Sequence, residues 1–238
     1  MQKTIKIRTK DNHYIHGGLY TKNKKPKGLV IFCHGFTGNQ NEHQFFNGSI
    51  FFTQKGYNTF RFNFYGGKKG ERHFEQTSIS QHGSDITTVI NYFKDKSKKI
   101  YLIGHSYGGT SILFSDTKYI SAIVFWDASY VIGENEKKDS DWKKIKNRYC
   151  IDWGMSIVVG NKFVKELFNF PDCGKLISKI NSPIKFIGAG RGIDAKKYYK
   201  VANRPKGISI IKDADHGFNT PETEKKLFEE TYSWIKKF

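Results

Sequence analysis

Five residues, Gly104-His105-Ser106-Tyr107-Gly108, place a serine between two glycines with one residue on either side. An apolar run, Ile100 to Ile103, precedes them and a helical pattern follows, so the serine falls on a strand-to-helix turn. Such a turn holds its central residue in a conformation that only small neighbours tolerate, and it lifts the hydroxyl clear of the sheet. A helix opening behind the serine points backbone N–H groups at any charge that develops on a substrate oxygen. Ser106 therefore reads as a nucleophile.

A serine hydroxyl needs a base to accept its proton. The base is expected downstream, with a carboxylate between the two in the chain. Asp213-Ala214-Asp215-His216-Gly217-Phe218 supplies His216, between the last apolar run and the last helical pattern. For the acid that orients the imidazole, Asp194 is the first choice, because it follows Ile184 to Ile187 and the glycine-rich Gly188-Ala189-Gly190-Arg191-Gly192. Asp127, at the end of Ile120 to Trp126, is the rival. Asp215 is a neighbour of His216 in sequence and reads as a solvated turn residue. Two backbone amides are expected to hold an oxyanion, that of Tyr107 and that of Phe36 in His34-Gly35-Phe36-Thr37-Gly38-Asn39. His34 reads as a positioner of that loop. His13 and His16 lie three apart on a strand pattern, on opposite faces, and do not form a metal pair.

These residues have to be positioned by a scaffold, and the pattern of the chain provides one. Thr4 to Arg8 and Tyr14 to Tyr20 alternate with period two around an Asp11-Asn12 turn, which predicts an antiparallel hairpin. Leu29 to Cys33 is then continuously apolar, the signature of a strand buried on both faces. Similar runs recur at Tyr57 to Phe62, Ile100 to Ile103, Ile120 to Trp126, Ile184 to Ile187 and Ile208 to Ile211. Helical stripes lie between them, including Ile79, Ile86, Val89, Ile90 and Phe93. The last helix opens at Thr220-Pro221, a cap followed by proline at the first helical position. The alternation predicts an α/β fold with a mostly parallel sheet flanked by helices.

One connection is too long for that rhythm. Residues 130–182 separate two core strands and carry Trp142, Tyr149 and Trp153 together with a short amphipathic helix around Phe163 and Leu167. The expectation is a single domain over 1–238 with residues 130–182 inserted as a lid. Trp126, Tyr130 and Trp153 are the residues expected to line an apolar or aromatic pocket.

With 238 residues the chain suffices for one domain with such an insertion. Its 40 Lys+Arg against 22 Asp+Glu give a formal charge of +18, which raises the question of an acidic partner. The lysine runs fall in loops and helix ends, without a basic helix or interleaved aromatics, so no nucleic acid is expected. Three cysteines are too few and too scattered for a disulfide framework. The N-terminus lacks the apolar core of a signal peptide and no run is long enough to span a membrane. A cytoplasmic protein without metal or organic cofactor is the expectation.

Over nearly the whole chain the sequence resembles the lidded α/β hydrolases grouped with serine aminopeptidases and monoacylglycerol lipases, and is most like their cinnamoyl and feruloyl esterase branch. The resemblance is carried by His34 to Asn39, Arg61-Phe62-Asn63-Phe64-Tyr65-Gly66, Gly104 to Gly109, the long insertion, Ser182-Pro183 before a strand, and Ala214-Asp215-His216. It implies the α/β-hydrolase fold and cleavage of small esters through an acyl-enzyme, the lid shaping the acyl pocket. The chain departs from that pattern twice. Asn63 stands where relatives have aspartate, and Gly192 stands where their acid follows the strand, with Asp194 two residues later. Thioester or small amide cleavage would use the same residues. A hydrolase-like binding protein and a basic surface binder are the readings from other classes.

Overall fold

The computed structural model describes residues 2–22, 24–130, 143–152 and 156–238. An eight-stranded sheet forms its centre, in the order β1-β2-β4-β3-β5-β6-β10-β11. The strands are β1 (Gln2–Arg8), β2 (Tyr14–Tyr20), β3 (Leu29–Cys33), β4 (Asn58–Phe62), β5 (Ile100–His105), β6 (Ala122–Trp126), β10 (Ile184–Ala189) and β11 (Lys206–Ile211). β1 and β2 form the expected antiparallel hairpin, and β2 runs antiparallel to β4. Every pairing from β4 across to β11 is parallel. All residues of β3, β5 and β6 are buried, because helices cover both faces.

Side chains that alternate along each strand feed two cores. On one face Ile123, Phe125 and Phe186 meet α2 (Ile79–Phe93), α3 (Tyr107–Ile112) and α6 (Ile193–Val201). On the other, Val124, Trp126 and Ile187 meet α1 (His43–Gln54) and α7 (Pro221–Ile235). Two of these helices begin at a side-chain cap. Ser78 caps α2, and Thr220 caps α7 in a reciprocal box with Thr223, with Pro221 at the first position.

Parallel strands deliver every strand-to-helix loop to one edge of the sheet. That edge carries the loop after β3, the turn after β5, the segment after β6 and the loop after β11.

The inserted segment contributes a second, three-stranded sheet, β7 (Lys143–Ile145), β8 (Arg148–Asp152) and β9 (Ser156–Gly160), followed by α4 (Asn161–Phe168) and α5 (Cys173–Ile177). Ile151, Ile157, Val159, Phe163, Val164 and Leu167 make its own small core, which closes over Ile79. Glu166 on α4 fastens it to the start of α2. Its carboxylate accepts hydrogen bonds from the Ser80 N–H at 3.0 Å, from the Ser78 hydroxyl at 2.9 Å, and from the Ser80 hydroxyl. Trp142 and Trp153 lie outside the described residues. No helix among the described residues is long and apolar enough to cross a membrane.

Candidate active site

Ser106 occupies the turn between β5 and α3 with φ 53° and ψ −127°. This is a strained combination for a residue with a side chain, and the surroundings hold it in place. The Ser106 N–H donates to the Trp126 carbonyl at 3.1 Å, and its own carbonyl accepts from Gly109 at 3.0 Å and Ser129 at 3.2 Å. Glycine is required next to it. A Cβ on Gly108 would lie 2.2 Å from the Cys33 carbonyl oxygen, and one on Gly104 2.6 Å from Gly109.

The loop after β3 lies directly against the serine: a Cβ on Gly35 would stand 3.1 Å from Ser106 Cβ. His34 fixes this loop from beneath. It is buried, its Nδ1 lies 2.9 Å from the Gly35 carbonyl, and its Nε2 accepts the Phe64 N–H at 3.1 Å. Because Phe64 can only donate, the imidazole is the neutral Nδ1–H form, and burial pushes its pKa down to about 4. Asn63, where the resemblance leads one to expect aspartate, accepts the Gln40 N–H at 2.8 Å and ties the same loop to the end of β4. A neutral amide does this structural work as well as a carboxylate would.

His216 follows β11. Its Nδ1 lies 2.7 Å from Asp127 Oδ2, and its carbonyl accepts from His105 Nε2 at 2.7 Å. Asp127 has φ 38° and is held on three sides: its N–H donates to the Ile187 carbonyl, and its two carboxylate oxygens take the Ala189 N–H and the His216 ring. The carboxylate partner of His216 is thus Asp127, and the expectation of Asp194 is corrected. The reason lies in the end of β10. Gly190 and Gly192 both turn the chain at φ 55°, and Asp194 is carried into the first turn of α6. There burial raises its pKa, with Lys197 opposing and the Asp127 charge adding to the rise. β6, in contrast, lies between β5 and β10, so Asp127 leaves the sheet next to the strand that delivers Ser106.

The remaining expectations separate. The Phe36 and Tyr107 rings meet at 5.3 Å; Tyr107 follows Ser106 directly, and Phe36 follows Gly35, whose loop lies against the serine. Trp126 is a correction. It is fully buried on the α1/α7 face, stacked on Phe45 at 6.1 Å, with its indole N–H on Thr231 Oγ1 at 2.8 Å. Strand alternation places it in the core between the sheet and α1 and α7. Tyr130 is corrected in the same way, being buried among Phe125, Phe186 and Tyr198. Trp153 lies outside the described residues.

Three aromatic contacts that sequence reasoning did not assign to the site surround Phe36. Its ring meets Phe74 at 5.2 Å, Tyr107 at 5.3 Å and Phe163, from the inserted α4, at 5.0 Å. Two polar residues were also missed. His105 holds the His216 carbonyl, and Ser129 Oγ lies 3.1 Å from Ser106 Oγ. Position before the serine and two residues after Asp127 was the available signal for each. Among the described residues no group of three or more His, Cys, Asp or Glu could hold a metal ion.

Comparison with known proteins agrees with this architecture. Residues 24–125, which hold the β3 loop and the Ser106 turn, match the family model of serine aminopeptidase, S33. The chain has the α/β-hydrolase fold. The family match covers less than half of the chain, and esterases are among the structures that share its fold. Est1E from Butyrivibrio proteoclasticus, solved with ferulic acid bound, superposes with a TM-score of 0.80 at 18% identity, over 98% of each chain. The esterase domain of a Rhodothermus marinus protein gives 0.74 at 18%, covering 100% of this chain and 98% of that chain. A Pyrococcus furiosus esterase gives 0.70 at 22%, over 99% and 93%. A search of curated protein sequences finds no match.

Proposed function

We propose that this protein cleaves small carboxylic esters whose acyl group is apolar or aromatic, through an acyl-enzyme on Ser106. The observation that carries this reading is the convergence on one sheet edge of the strained Ser106 turn, the His216–Asp127 pair and the aromatic cluster around Phe36. Ser106 Oγ attacks the ester carbonyl and passes its proton to His216 Nε2. Asp127 holds the opposite ring nitrogen and stabilises the imidazolium that forms. The Phe36 and Tyr107 amides receive the oxyanion, each donor worth about 2.7–4 kcal/mol of transition-state stabilisation. His216 then protonates the departing alcohol, activates water, and the acid product leaves.

The inserted segment serves as a lid in this reading, with Phe163 closing the acyl pocket against Phe36 and Phe74. The ester relatives, one of them holding ferulic acid, support the choice of substrate class. The test is hydrolysis of p-nitrophenyl esters of graded length, of methyl ferulate, and of matched thioesters and anilides. The wild type is expected to turn over the esters, and Ser106→Ala to lose about 10⁴-fold or more in kcat. Equal rates for the two proteins would end the reading, and a preference for thioester or anilide would reassign the substrate.

A further inference from the structure

Ser129 touches the reacting atom. Its Oγ lies 3.1 Å from Ser106 Oγ, and this is the contact the structure gives the Ser106 hydroxyl among the described residues. The placement is built by the backbone on both sides. The Ser129 N–H donates to the Ser106 carbonyl at 3.2 Å, and the Ser129 carbonyl accepts the Thr110 hydroxyl from the helix behind the nucleophile. Ser129 is also two residues beyond Asp127, so one short segment after β6 brings both the carboxylate behind His216 and a second hydroxyl at the nucleophile.

Given the hydrolase reading above, we propose that Ser129 is a further catalytic residue, whose O–H donates a hydrogen bond to Ser106 Oγ and stabilises that oxygen whenever it carries charge. The direction follows from the proton inventory. The Ser106 proton must leave toward His216 Nε2, so in the reactive arrangement the proton between the two serines belongs to Ser129. On acylation the Oγ–C bond forms, the Oγ proton passes to His216, and Ser129 keeps its own. On deacylation water adds to the acyl carbonyl, with its proton going to His216. The C–Oγ bond then breaks, and Ser106 Oγ departs with the electron pair before His216 returns a proton to it. Oγ is the leaving group in that step, and a fixed donor helps it most there.

The deacylation step is therefore where loss of the hydroxyl is felt. Ser129→Ala keeps both backbone hydrogen bonds and removes the donor alone; Ser129→Thr restores a hydroxyl. With an activated p-nitrophenyl ester, Ser129→Ala is expected to show a pre-steady-state burst near one equivalent per active site and a steady-state rate lower by about tenfold. Ser129→Thr is expected to recover most of that rate. Each variant is first titrated with a fluorophosphonate probe. If the wild type fails to label at Ser106, the hydrolase reading falls and this proposal with it. If Ser129→Ala labels normally and turns over at the wild-type rate without a burst, only the role of Ser129 is overturned. Equal loss in the Ala and Thr variants, with no burst, would likewise overturn it, making Ser129 a packing residue.

Discussion

At the scale of the residue, His216 makes its carboxylate contact with Asp127, one position beyond Trp126, and the two neighbours face opposite ways. Chain order admits either Asp127 or Asp194 as the acid, because both follow core strands and both lie between Ser106 and His216. The choice is made by backbone turns, φ 38° at Asp127 and the two left-handed glycines that carry Asp194 into α6, and neither is written in residue type alone. Trp126 failed as a pocket residue for a different reason. Its place at a strand end was read, but not its face, although alternation along β6 already assigns it to the α1/α7 core. Trp126→Phe loses the hydrogen bond to Thr231 and some volume. It is expected to destabilise the fold by about 1–3 kcal/mol in urea while leaving the ratio of ferulate to short-chain ester hydrolysis unchanged. An altered ratio would return Trp126 to the pocket.

At the scale of the element, strands and helices were legible because their periods differ so plainly. Fully apolar runs became the buried strands β3, β5 and β6, and the Thr220-Pro221 signal became the start of α7. The length of the insertion and the amphipathic pattern of α4 were also readable. What covers what was not, since Phe163 reaches Phe36 only through packing between segments more than a hundred residues apart. Glu166 is the polar pin of that packing, accepting from Ser78 and Ser80 at the start of α2. Glu166→Ala removes the carboxylate that accepts three hydrogen bonds from that helix start and releases α4. The expected result is a loss of about 1–3 kcal/mol in urea denaturation, together with a weaker discrimination between short and bulky acyl esters. An unchanged denaturation midpoint would show that the apolar contacts alone hold the segment.

At the scale of the whole molecule, a mostly parallel sheet behind an N-terminal hairpin was legible, while the order of its strands was not, because it is set by crossovers that residue type does not record. The cost of placing histidines inside it is a matter of tertiary burial. His34 and His105 are buried and neutral, each pushed by desolvation from the ordinary 6.5 to about 4, and burial depresses His82 as well. Below pH 6.5 the unfolded chain binds protons at His34 and His105 that the native state refuses until about pH 4. Stability is therefore complete above pH 6.5 and is lost as the pH falls toward 4, by up to about 3 kcal/mol per group. Asp85, which burial raises to about 6 despite its contact with Arg72, works in the opposite sense over part of that range. His34 and His105 together outweigh it. The midpoint of thermal unfolding is expected to drop by about 5–10 °C between pH 7.5 and 5. A flat profile would mean that these rings are protonated, or reach water, in the native state.

Ser106, His216 and Asp127 are proposed to act as one unit, and the most direct test is kcat/KM for one activated ester in Asp127→Asn beside Asp194→Asn. Removing the charge behind His216 leaves the imidazole in the wrong tautomer and the imidazolium unsupported, so Asp127→Asn is expected to lose about 10³–10⁴-fold. Asp194→Asn, which touches neither ring nor nucleophile, is expected to stay within about threefold of wild type. The reverse order, with Asp194→Asn inactive and Asp127→Asn near wild type, would contradict the account.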